Sequence, residues 1–133
     1  MDSTWQSEVS GDGIMYDIFH GKFIRKFKGP DGRSFGLGGE EGHYIFSLSV
    51  DFFNPYTNKQ SGKKSSVGLI SLVCLNLPPS MHYKPENMFR FGVIPGPKEP
   101  PLTALNHYLK PLVDDLIDFW ETGVKISTTR LAG

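Results

Sequence analysis

The run at residues 67–77, Val-Gly-Leu-Ile-Ser-Leu-Val-Cys-Leu-Asn-Leu, constrains the fold more than any other part of the chain. Val67, Leu69, Val73 and Leu75 fall on one alternating set, and Ile70, Leu72 and Cys74 fall on the other. A strand apolar on both faces must be covered on both faces, so the run reads as the central strand of a sheet. Pro78 and Pro79 stop it, because neither can donate to a ladder. Two flanking stretches can pair with it. Residues 44–50 alternate, with Tyr44, Phe46, Leu48 and Val50 on one side and Ile45, Ser47, Ser49 and then Asp51 on the more polar side. Residues 88–94 place Phe89, Phe91 and Val93 on one face before Pro95-Gly96-Pro97 closes the strand.

One long helical pattern follows. Leu105, Leu109, Leu112, Leu116 and Trp120 form a stripe widened by Leu102, Val113 and Ile117, while Asn106, Lys110, Asp114, Asp118 and Glu121 lie outside it. Pro100-Pro101 suits the helix start and Gly123 its end. Pro111 removes one backbone donor inside, so a kink or two helical halves are expected. The predicted architecture is α/β: a three-stranded meander at about 44–50, 66–77 and 87–94, then a helix at about 101–121. Before it, residues 1–43 read as an N-terminal extension. Within them, residues 14–20 suit a short helix stopped by Gly21, residues 22–28 a short strand or extended arm, and Gly29-Pro30-Asp31-Gly32 a turn. Residues 36–42 read as a flexible glycine-rich loop. No Lys-Ser/Thr pair follows it, which argues against a phosphate cradle.

The formal net charge is zero, so no global attraction to polyanions is built in. Locally the balance differs. Lys22, Arg25, Lys26 and Lys28 cluster, and no acid falls between Asp51 and Glu86, where Lys59, Lys63, Lys64 and Lys84 lie. The single cysteine, Cys74, excludes an intrachain disulfide and a cysteine-rich zinc site. The four histidines, at 20, 43, 82 and 107, lack metal-ligand spacing. No secretory signal pattern and no apolar stretch of about 18 residues is present, which makes an intracellular soluble protein the expectation.

Asp51 is the leading candidate for chemistry. A carboxylate near the C-terminal end of a strand, on its polar face, is well placed to hold a divalent cation together with water and substrate phosphate. The competing role is structural: capping the Asn54-Pro55 turn. Lys59, Lys63 and Lys64, on a loop with Asn58, Gln60, Ser61 and Ser65, are candidates for holding DNA phosphates; the alternative is an exposed polar loop. Asp114, Asp115 and Asp118 read as a solvated helix face.

Five segments in order carry a resemblance: SLSVDFFNPYTNKQSGKKSSVG, LVCLNLPP, KPEN, VIPGPKEP and LKPLVDDLIDFWETGV, preceded by YDIFHGKFIRKFKGPDGRSF. Together they resemble the CACTA-type (En/Spm) DNA transposases, in the version found in mushroom-forming fungi. The resemblance spans roughly residues 14–127. It implies an RNase H-like core bearing an Asp-Asp-Glu/Asp triad whose first acid, from an Asp-Gly-Phe-Asn-Pro motif, is Asp51. It also implies Mg²⁺ or Mn²⁺ as cofactor, transposon-end DNA as partner, and a nuclear location. Phe52 stands where that motif has glycine, which puts the turn beside Asp51 in question.

The second and third acids match no position here. Residues 44–133 are therefore expected to be the first half of the core, with later strands and helices absent and part of the sheet uncovered. The expected function is that of the N-terminal half of a cut-and-paste transposase, inactive by itself. One alternative is a non-catalytic DNA-binding or protein-interaction module derived from a transposase. Another is a chain completed by a second polypeptide.

Overall fold

The computed structural model describes residues 13–35, 42–56 and 65–125. The chain forms two compact units, Met1–Glu99 and Pro100–Gly133. The first holds an N-terminal arm and a three-stranded antiparallel sheet; the second holds one long helix.

The sheet comprises β1 (Phe46–Phe53), β2 (Val67–Cys74) and β3 (Met88–Ile94), in spatial order β1-β2-β3. The doubly apolar run takes the central place, and Ile70, Ser71, Leu72 and Val73 are all buried. The outer strands stay far more open: Phe46 and Leu48 on β1 and Phe89 and Val93 on β3 are exposed.

β1 lies further along the chain than the alternation at 44–50 implies. Its ladder continues through Asp51↔Leu69, Phe52↔Gly68 and Phe53↔Val67. At the other end the Asn76 side chain takes over the pairing. Its Oδ1 accepts from Ile45 N at 2.7 Å, and its Nδ2 donates to the His43 carbonyl at 3.0 Å. The same residue ends β2 three positions short of the apolar run, and Leu75 to Leu77 form a turn closed by Leu77 N on the Cys74 carbonyl at 3.4 Å.

β3 carries an irregularity that its sequence pattern hides. The register passes from Ile70↔Gly92 to Ser71↔Arg90, leaving Phe91 as an extra residue. A bulge of this kind resets the side-chain phase. Phe89 pairs with Leu72 and Val93 with Leu69, so the two do not share the single face that simple alternation assigns them.

The arm differs from expectation in two places. The short helix predicted over 14–20 is a 3₁₀ turn, Ile18–His20, capped by Asp17, whose side chain accepts from Phe19 N at 3.0 Å; Gly21 closes it as expected. Residues predicted to be extended instead form α1 (Lys22–Lys26). The run Lys-Phe-Ile-Arg-Lys-Phe-Lys fits both periods, and the helix gains the i,i+4 contact of Phe23 with Phe27, ring centroids 5.7 Å apart. The Gly-Pro-Asp-Gly turn then brings Lys28 beside Ser34. Phe27 meets Phe35 edge-on at 5.8 Å, and Phe35 stacks on His43 at 4.4 Å. Through His43 and the Asn76 clamp, the arm is tied to the sheet.

In the second unit, α2 (Leu102–Glu121) runs unbroken through Pro111, so the expectation of two helical halves is not met. The proline removes one i→i−4 bond, and the surrounding turns hold the helix together. Leu112 is its buried residue, flanked along the predicted stripe by half-buried Leu105, Leu109 and Leu116. Gly123 ends it in the left-handed region (φ 74°), donating to the Phe119 carbonyl at 3.0 Å.

Candidate functional site

Asp51 sits two residues before the end of β1, opposite Leu69, on the face that also carries Ser47 and Ser49. It is exposed, and among the described residues no hydrogen bond or ion pair engages its carboxylate. The turn that follows is capped by a different side chain: Asn54 Oδ1 accepts from Tyr56 N at 2.9 Å, an Asx turn around Pro55. The structural role open to Asp51 from sequence is thus filled by Asn54.

The surroundings of Asp51 on this face are built by the register. Ser49 Oγ and Ser71 Oγ share a hydrogen bond of 2.8 Å, and Ser71 is fully buried. Arg90 stands opposite Ser71 on β3. At about 4.8 Å per strand, Arg90 lies roughly 10 Å across the sheet from Ser49. It is exposed and without an acidic partner among the described residues. Sequence reasoning missed Arg90, because its register depends on the bulge at Phe91.

Phe52, the departure from the glycine motif, points to the opposite face from Asp51. It lies over Gly68: a Cβ at that glycine would stand 2.6 Å from Phe52 Cε1 and 3.1 Å from Ile94 Cβ. The aromatic ring therefore occupies space that Gly68 leaves open, and Asp51 and Phe52 continue in β1 without a break.

At the end of β1 lies an open cleft of about 290 Å³, lined by Phe52, Phe53, Asn54, Ser65, Ser66, Pro97 and Glu99. Ser66 N on the Pro97 carbonyl, at 3.0 Å, holds its two sides together. Glu99 is the acid in this cleft, and Asp51 is not among its lining residues. Lys59, Lys63 and Lys64 lie outside the described residues.

Three of the histidines make local contacts. Tyr16 N donates to His20 Nδ1 at 3.2 Å, His43 stacks on Phe35, and His82 Nε2 lies 2.5 Å from the Leu77 carbonyl. Among the described residues, no three His, Cys, Asp or Glu side chains converge as metal ligands. The donor set at Asp51 is one carboxylate, with the nearby Ser49 hydroxyl bonded to Ser71. Two-ion phosphoryl chemistry requires several oxygen donors per metal, so these residues do not complete such a centre.

A protein-family model described as transposase family tnp2 matches residues 28–131, the greater part of the chain. The chain belongs to this transposase family. No curated protein and no solved structure matches it. The tnp2 match takes in all three strands, Asp51 and α2, whereas α1 precedes it. Among the described residues of this tnp2 protein, no helix is long and apolar enough to cross a membrane.

Proposed function

We propose that this tnp2 chain carries the front part of an RNase H-like transposase core of the CACTA (En/Spm) type, in its fungal version, with Asp51 as the first acid of the catalytic set. The observation that carries the reading is the state of Asp51. It is an exposed carboxylate late in β1, free of the adjoining turn, which Asn54 caps. Asp51 would supply one ligand to Mg²⁺ or Mn²⁺, which in the assembled site would activate a hydroxyl and stabilise a leaving oxygen. Transposon-end DNA is the substrate, Lys59, Lys63 and Lys64 hold its phosphates, and the nucleus is where it is met. On this reading the chain by itself is inactive, since one acid cannot make a two-metal site.

The test is ligation by Asp51, read from paramagnetic broadening as Mn²⁺ is added to the ¹⁵N-labelled chain. Broadening should centre on Ser49, Asp51 and Leu69 and disappear in Asp51→Asn. Broadening that ignores Asp51 would remove it from the metal site. In parallel, supercoiled plasmid with Mg²⁺ or Mn²⁺ should remain intact. Nicking by the purified chain, lost in Asp51→Ala, would overturn the expectation of inactivity.

A second reading, a non-catalytic DNA-binding or interaction module, is favoured by the single carboxylate. A third, completion by a second polypeptide, draws on the edge position of β1 in the described sheet. Cleavage gained on mixing with a polypeptide bearing the downstream family sequence would select the third over the second.

A further inference from the structure

Among the described residues of the first unit, the arm carries a run of cations separate in sequence from Asp51. Residues 22–28 hold four cations, Lys22, Arg25, Lys26 and Lys28, and no acid. All four are exposed, and none has an ion pair among the described residues. The nearest acids are committed elsewhere: Asp17 caps the 3₁₀ turn, and Asp31 accepts from Arg33 N at 2.9 Å and pairs with its guanidinium. Beside them on α1 stands Phe23, 75% exposed. Among the described residues its ring neighbour is Phe27, the first member of the row that continues through Phe35 to His43. The row fixes the base of α1 and leaves the Phe23 ring at its outer end.

Unpaired cations around an exposed, supported aromatic ring are the elements of a single-stranded nucleic-acid platform. Phosphates are held by charge, and a base stacks on the ring. A duplex would engage the cations but hides its base faces, leaving Phe23 without a role. A five-residue helix, about 7.5 Å long, is also too short to read a groove. A lipid surface calls for an amphipathic helix of several turns, whereas α1 has five residues and offers little apolar area to bury.

We infer that α1 and Lys28 bind single-stranded DNA, with Lys22, Arg25, Lys26 and Lys28 on phosphates and Phe23 under a base. The choice of DNA over RNA rests on the transposase reading; the polyanion-and-stacking chemistry does not.

The experiment is fluorescence anisotropy of the full 133-residue chain with a labelled twenty-nucleotide oligo-dT, a twenty-base-pair duplex, and phosphatidylserine vesicles as competitor. The oligo-dT should bind more tightly than the duplex. Phe23→Ala should weaken it about tenfold while leaving duplex binding unchanged. Replacing all four cations with alanine should lower the slope of log K against log salt by about 3, at roughly 0.7 per single-strand phosphate contact. Unchanged far-ultraviolet circular dichroism and melting temperature would show that these exposed positions leave the fold intact.

The proposal would be overturned by tighter duplex binding with no effect of Phe23→Ala, by displacement of oligo-dT by vesicles with the same residue dependence, or by an unchanged slope in the four-alanine variant. Loss of binding confined to Lys59→Ala/Lys63→Ala/Lys64→Ala would also overturn it for the arm, yet leave the transposase reading standing. Absence of DNA binding at low salt would count against both.

Discussion

At the scale of single residues, Asp51 and Phe52 show how neighbouring positions on a strand separate function from packing. Asp51 is exposed and unpartnered among the described residues, so its carboxylate contributes little to folding. Asp51→Ala should shift the urea midpoint by the equivalent of less than about 0.5 kcal/mol. A loss above about 2 kcal/mol would mean that the side chain is structural. Phe52 faces the other way, and its ring depends on the missing side chain at Gly68. Gly68→Ala forces a methyl against both Phe52 and Ile94, and overpacking of this kind costs about 1–3 kcal/mol. Chemical denaturation should show that loss, and much of it should be recovered in Phe52→Ala/Gly68→Ala, where the ring no longer competes for the space. Full additivity of the two substitutions would exclude this account. The polar face was legible in sequence, because a strict period of two puts Ser47, Ser49 and Asp51 together. The accommodation of Phe52 was not, since it depends on which residue of β2 lies opposite.

At the scale of elements, the strands and the long helix followed from periodicity and from proline and glycine placement, while the exceptions trace to interactions that periodicity does not encode. Asn76, through two side-chain bonds, moves the start of β1 and the end of β2. The extra residue Phe91 breaks the phase of β3, and nothing in the alternation of 88–94 announces it. In the arm, seven residues fit both a helix and a strand, and contacts of Phe23 with Phe27 and Phe27 with Phe35 accompany the helical outcome. α2 shows a local preference overridden. Pro111 disfavours the helix, yet the helix continues past it. Pro111→Ala restores a donor to the fourth preceding carbonyl, that of His107, and removes the ring clash, a gain of up to about 3 kcal/mol. The melting temperature of Pro111→Ala should therefore rise; a fall would show that the native helix is shaped around the proline. At the other end, Gly123 adopts φ 74°, so Gly123→Ala should cost about 1–2 kcal/mol and fray the last turn, observable as faster amide exchange at Thr122 and Gly123.

At the scale of the whole molecule, the decisive quantity is how strongly the chain holds a divalent cation. A metal that binds only the folded state stabilises it by RT ln(1 + [M]/Kd). With the metal at a concentration equal to Kd the gain is about 0.4 kcal/mol, and at a hundredfold excess it is about 2.7 kcal/mol. For a domain of this size, each kcal/mol moves the melting temperature by about 3–5 °C. The described residues offer Asp51 alone at the site, without two further acids or histidines beside it. A lone exposed carboxylate surrounded by water competes poorly for Mg²⁺, which keeps its own hydration shell. Ten millimolar MgCl₂, compared with EDTA at matched ionic strength, should therefore raise the melting temperature by less than about 2 °C. The same measurement on Asp51→Asn should give no larger difference. A rise of roughly 8 °C or more, removed by Asp51→Asn, would require a site with several ligands. Asp51 would then have partners supplied by the undescribed segments or by a second copy, and sedimentation with and without metal would separate those two sources.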